Sequence, residues 1–184
     1  MILTSAEQRH KFLIESSTSL LEEGRRLLEQ MSDRQYVSSP AEFPDQRIGS
    51  HIRHIVEFYE CFLDGRRLAH IDYDARKREA TLESDRRATM VRINSLIGRL
   101  TGFEAPTKDS VLFVRIEDAE AAGMGQGFVV SSVGRELQSL NSHTVHHFGL
   151  IAMLARLLGI PVQAGFGFAP STLRYKASQR SEAA

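Results

Sequence analysis

Residues 143–147 read His-Thr-Val-His-His, the clearest chemical signal in the chain. At about 100° per residue on a helix, His143 and His147 stand about 40° apart, one turn along the same face. Two imidazoles at this spacing can grip one metal ion, as in the H-E-x-x-H zinc helices. Thr144 and Val145 fill the middle of the motif, so the general-base glutamate of those proteases is missing. The two rings also interrupt an apolar stripe, between Leu140 and Ile151, and should therefore point inward. Buried polar rings need partners. A metal would satisfy both at once; hydrogen bonds to facing side chains, or a water-filled cavity, would serve as well. The spacing alone leaves these readings open.

A metal needs a third ligand, and the segment Ser50-His51-Ile52-Arg53-His54-Ile55 offers two. Periodicity places His51 nearer the centre of that segment's apolar face and His54 nearer its flank, and so slightly prefers His51. His146 lies about 100° from His147 and is expected at the edge of the core or in solvent. His10 and His70 are isolated and read as surface residues.

The elements that must position these rings are helical. Thr4 to Glu7 has capping-box spacing. Leu13, Leu20 and Leu27 recur beyond it with Leu21, Leu28 and Met31 alongside, which predicts a helix over 5–31. Ser38-Ser39-Pro40 and Pro44 mark a connection. Ile48, Ile52, Ile55, Tyr59 and Phe62 share a face and predict a helix over 47–65, stopping near Gly65. A polar link from His70 to Arg78 leads to a third helix expected over 75–101, ended by Gly102 and Pro106. Residues 111–117 and 127–131 read as strands, with Gly123 and Gly125 between them predicting a hairpin. The last helix is expected from Ser132 to Gly159, with Pro161 beyond. Four long helices with modest connections predict an all-α, antiparallel four-helix bundle with a short β-hairpin before the last helix. Residues 1–176 form the expected single domain and 177–184 a frayed tail.

The bulk numbers fit that picture. The 184 residues suffice for one domain. Lys plus Arg and Asp plus Glu are 23 each, so the net charge is zero, which argues against a general nucleic-acid binder. The single cysteine, Cys61, rules out an internal disulfide. Met1 to Phe12 does not read as a signal peptide, and no apolar run approaches a membrane span. The cytoplasm is the expected location.

A histidine in the second helix shortly after Ile48-Gly49, with H-x-x-x-H in the last helix, resembles the DinB/YfiT-like superfamily. The resemblance spans nearly the whole chain. It is sharpened by Ile71-Asp72-Tyr73-Asp74-Ala75-Arg76 and by residues 165–175, from Gly165-Phe166-Gly167-Phe168 to Tyr175, both similar to segments of a bacterial DinB-type subgroup. Those two segments are expected to be a capped interhelical loop and a tail packed on the helices. The resemblance implies a four-helix bundle, often dimeric, with three histidines holding a divalent metal, most often zinc or nickel. Matched position by position, it assigns His54, His143 and His147 as metal ligands, against the preference of periodicity for His51.

Relatives in that superfamily include thiol transferases that use low-molecular-weight thiols, a thiol-dependent isomerase and a metal-dependent hydrolase. The leading expectation is therefore a metal-dependent enzyme acting on a small molecule by thiol transfer or hydrolysis. The alternative is a non-catalytic, metal-binding or stress-related dimer; a plain helical bundle with hydrogen-bonded histidines is a third reading. Cys61 is expected in or near the core. The arginine-rich stretches Arg66-Arg67, Arg76-Lys77-Arg78 and Arg86-Arg87 are interleaved with acids and read as solvated faces, with a basic mouth for an anionic substrate as the alternative.

Overall fold

A computed structural model describes residues 5–104, 108–117, 123 and 127–182. The first helix, α1, spans Ala6–Glu29. Its capping box is Ser5 with Gln8, one residue later than the predicted pair: the Gln8 N–H donates to Ser5 Oγ (3.1 Å) and the Ser5 N–H to Gln8 Oε1 (3.0 Å). Thr4 lies outside the described residues. A one-and-a-half-turn helix follows, α2 (Asp33–Val37), inside what reads in sequence as a plain connection. It is pinned by Tyr36, fully buried, whose hydroxyl donates to the Leu82 carbonyl oxygen.

Helix α3 (Ile48–Gly65) has the predicted bounds within a residue, and all five residues of its predicted face are buried. A 3-10 turn leads to a two-residue strand, β1 (His70–Ile71), too short to show any periodicity in the sequence. The expected helix over 75–101 starts later and is broken in two: α4 (Ala80–Ser84) and α5 (Arg86–Thr101). The break has a local cause. Asp85 is extended (φ −112°, ψ 98°) and its carboxylate accepts the Ala88 N–H at 2.9 Å, so it caps a new helix instead of continuing the old one. Upstream, Asp72 Oδ1 accepts the N–H groups of Asp74 and Ala75, which folds residues 72–75 into a turn. Gly102 closes α5, and Pro106 lies outside the described residues.

Strands β2 (Val111–Arg115) and β3 (Phe128–Ser132) pair antiparallel as expected, and β1 joins β2 in parallel, giving a three-stranded sheet of order β1-β2-β3. Gly123, between β2 and β3, has φ +71°; Gly125 lies outside the described residues. Helix α6 (Val133–Leu157) is capped by Ser132 and ends in a Schellman motif. The Ile160 N–H reaches the Ala155 carbonyl oxygen (2.8 Å) and the Gly159 N–H that of Arg156 (3.1 Å), with Gly159 at φ +69°.

The chain then doubles back along α6. Phe166 is buried and stacks on Phe148 at 4.6 Å between centroids. Gly167, at φ +77°, brings its backbone so close to α6 that a Cβ there would stand 2.7 Å from the Phe148 carbonyl. A last helix, α7 (Pro170–Glu182), takes in residues 177–182, which read in sequence as a frayed tail.

Helix dominates the molecule, and the small sheet is its only β-structure among the described residues. α6 packs on α1 and α3, and α5 packs on the same two helices from another side. Their apolar stripes meet in one core, from Leu21 and Leu28 through Tyr59 and Phe62 to Leu137 and Ile151. No helix among the described residues is long and apolar enough to cross a membrane.

Candidate metal centre

Where α3 crosses α6, four histidines meet. His54 Nε2 and His147 Nε2 each lie 3.1 Å from His143 Nε2. One nitrogen from each of these three residues falls within 4.8 Å of the other two. His51 stands next to the group, not in it: its Nδ1 faces Nδ1 of His147, the far side of that ring, at 3.0 Å. Of the two neighbours on α3, His54, the flank position, joins the cluster of three and His51 does not. His146 is exposed, with its ring edge-on to His147 at 5.3 Å.

The three rings fit a divalent ion by their donor chemistry. With metal–nitrogen bonds of about 2.0–2.1 Å, two nitrogens of a tetrahedral shell sit about 3.3 Å apart. The spacings of 3.1 Å lie close to that. Hydrogen bonding serves the same geometry less well. His143 Nε2 carries either one proton or one lone pair, yet it faces two nitrogens at bonding distance. Its Nδ1 is buried with no hydrogen-bond partner. One ion would use all three inward lone pairs together.

The rings are also held neutral, the state a metal ligand needs. Burial pushes His54 and His143 down to about 4 and His147 to about 3. Positive charge on neighbouring histidines opposes protonation further, and Arg76 adds to this for His54 and His143. His51 is lowered as well, by burial first and then by His146.

An aromatic wall closes one side. The Phe58 ring packs against His143 at 4.3 Å and His54 at 4.6 Å, and Tyr73 stacks on Phe58 at 4.9 Å. Arg76 lays its guanidinium over Phe58, 4.5 Å from the ring centre, and donates to the Tyr73 carbonyl oxygen. The Tyr73 hydroxyl donates to Glu136 Oε2 at 2.9 Å, and burial followed by the Glu136 charge raises its pKa. Arg115 donates to Asp72 at 2.8 Å and ties the turn to β2. Tyr73, carried on the Asp72 turn, therefore backs the aromatic wall beside the histidines, a role no local pattern announces. Arg76 is drawn into it, contrary to its reading as part of a solvated face. Arg66, over the Phe103 ring at 3.9 Å, and Arg86, bonded to Asp33 and to the Leu28 carbonyl oxygen, likewise make specific contacts.

Cys61 is half-buried, and burial pushes its thiol up to about 11, so it stays protonated. His10, read as a surface residue, is 1% exposed, and its Nε2 lies 2.9 Å from Asp109 Oδ1. Asp109 also accepts from Ser132 Oγ and the Gly134 N–H, so His10 ties α1 to the start of α6. The signal was present: His10 precedes Leu13 by three residues and Ser17 by seven, on the buried side of α1. His70 is exposed, as expected, and stacks on Phe113.

No family model matches the chain. Over 105 residues it is 33% identical to FK506-binding protein 5 of Rhizopus delemar. The match takes in 57% of this chain and 27% of that protein, so the chain spans about a quarter of the relative it resembles.

Proposed function

We propose that this chain is a metal-dependent enzyme of the DinB/YfiT-like type, acting on a small molecule by thiol transfer or hydrolysis. In this reading α1, α3, α5 and α6 form the family's antiparallel four-helix bundle. His54, His143 and His147 hold a zinc or nickel ion, imidazole suiting both. The observation that carries the proposal is the convergence of three neutral imidazole nitrogens on one point between two helices. Three protein ligands leave a coordination position open, the arrangement of catalytic rather than structural sites. A divalent ion there would lower the pKa of a bound water or thiol and so supply a nucleophile near neutral pH. The chain's own residues do the rest: α3 and α6 fix the rings, Phe58 and Tyr73 keep water from one side, and Arg76 offers positive charge to an anionic substrate or a low-molecular-weight thiol. The protein acts in the cytoplasm, apart from nucleic acid and membrane. It works as a homodimer, for which β3, an outer strand with Val129 and Val130 exposed, supplies a surface.

A second reading is favoured by the state of the neighbouring acids. Tyr73 is committed to Glu136 and Cys61 is held protonated, so neither stands ready as a general base. On that reading the protein binds metal without turnover.

Elemental mass spectrometry on protein purified without a histidine tag tests the site. The expected result is about one ion per chain in the wild type and none in a His143→Ala, His147→Ala double variant. Wild-type protein that takes up neither zinc nor nickel would falsify the metal reading. Metal bound tightly, with no activity toward thiol-transfer or ester substrates, would favour the second.

A further inference from the structure

The four histidines are not equivalent. His54, His143 and His147 turn Nε2 toward one another, while His51 meets His147 at the opposite ring nitrogen. We infer that His51 is a positioning residue: its Nδ1 accepts a hydrogen bond from the Nδ1–H of His147, holding that ring in the one tautomer whose Nε2 lone pair faces the other two histidines.

A neutral imidazole has one N–H and one lone pair. Across the 3.0 Å contact between the two Nδ1 atoms, one ring donates and the other accepts. If His51 donated, the single proton of His147 would sit on Nε2 and point at His143, closing that nitrogen to any ion. If His147 donates, its Nε2 is bare and the ring angle is fixed by the bond on the far side. Imidazole ligands are commonly oriented this way, by a partner on the second nitrogen. His143 has no such partner, since its Nδ1 is buried and unpaired, so its orientation rests on the Phe58 face. His147 is the one member of the triad whose far nitrogen is held by a side chain of the facing helix. His51 sits one turn before His54 on α3, so a single helix supplies both an inward ring and the brace for a ring on α6.

The test uses the full chain and two variants. His51→Asn keeps an acceptor oxygen at the position of Nδ1; His51→Leu removes it. Long-range nitrogen–proton correlation spectra of the metal-free protein report the tautomer of His147 directly. The wild type and His51→Asn are expected to show His147 protonated at Nδ1, and His51→Leu to shift it toward Nε2. The part concerning metal rests on the reading proposed above. Zinc affinity, by competition with a chromophoric chelator, should fall about 10–100-fold in His51→Leu and recover most of the way in His51→Asn. A wild-type His147 protonated at Nε2 overturns the inference, as does a His51→Leu protein with unchanged tautomer and affinity. Wild-type protein that binds no zinc but shows the Nδ1 tautomer would sink the metal reading while leaving the brace in place. Should His51→Leu fail to fold, the wild-type and His51→Asn spectra still decide the question.

Discussion

At the scale of single residues, the histidine cluster makes the metal-free protein sensitive to acid. An unfolded histidine titrates near 6.5, while in the folded chain His54 and His143 are held at about 4 and His147 at about 3. Between those values the unfolded chain binds protons that the folded chain refuses. Stability is therefore fully present above about pH 6.5 and is lost as pH falls toward the folded values. Urea unfolding in the presence of a chelator should show a lower midpoint at pH 4.5 than at pH 7. The His143→Ala, His147→Ala variant should lose less over the same interval. A variant as acid-sensitive as the wild type would place the lability elsewhere, among carboxylates such as Asp109, whose pKa is lowered in the fold. The i, i+4 relation of His143 and His147 is a property of one helix and could be read directly. That His54 and not His51 joins their cluster depends on how α3 and α6 pack, which periodicity, seeing one helix at a time, does not report.

At the scale of elements, the chain returns over α6 through a close backbone contact at Gly167. Gly167 combines a left-handed backbone with a contact that leaves no room for a side chain. It seats Phe166 on Phe148, the residue next to His147, so the segment braces α6 beside the site. Gly167→Ala should destabilise the protein by about 1–3 kcal/mol, from backbone strain and displacement of the segment. Chemical denaturation measures this; an unchanged midpoint would mean that residues 165–169 do not hold α6. Helices α1, α3 and α6 were legible within two residues, because each buries a long apolar stripe. The third predicted helix was not, because its start and its break are set by side-chain caps. Asp72 and Asp85 satisfy backbone N–H groups locally and so compete with helix continuation.

At the scale of the whole molecule, the proposed homodimer makes a direct prediction. Light scattering should give a mass of twice the 20.7 kDa of the chain. Val130→Lys, on the exposed face of the outer strand, should shift it toward the monomer without lowering thermal stability of the chain at high dilution. A wild-type mass of one chain would remove the dimer from the proposal and leave the metal site untouched, since all four histidines belong to one chain.

Local order, then, was determined by the sequence itself: where the main helices run, that a hairpin precedes the last of them, and that two imidazoles share a helix face. These follow from interactions within a few residues, which repeat at the period of the backbone. Tertiary structure decided everything that required two distant segments to meet. It brought His54 to the pair, turned His51 to the outer side of His147, buried His10 against Asp109, and folded Tyr73 and Arg76 over Phe58. Those contacts join residues well separated in the chain, and their geometry is set by how elements pack and cross, which no single helix encodes.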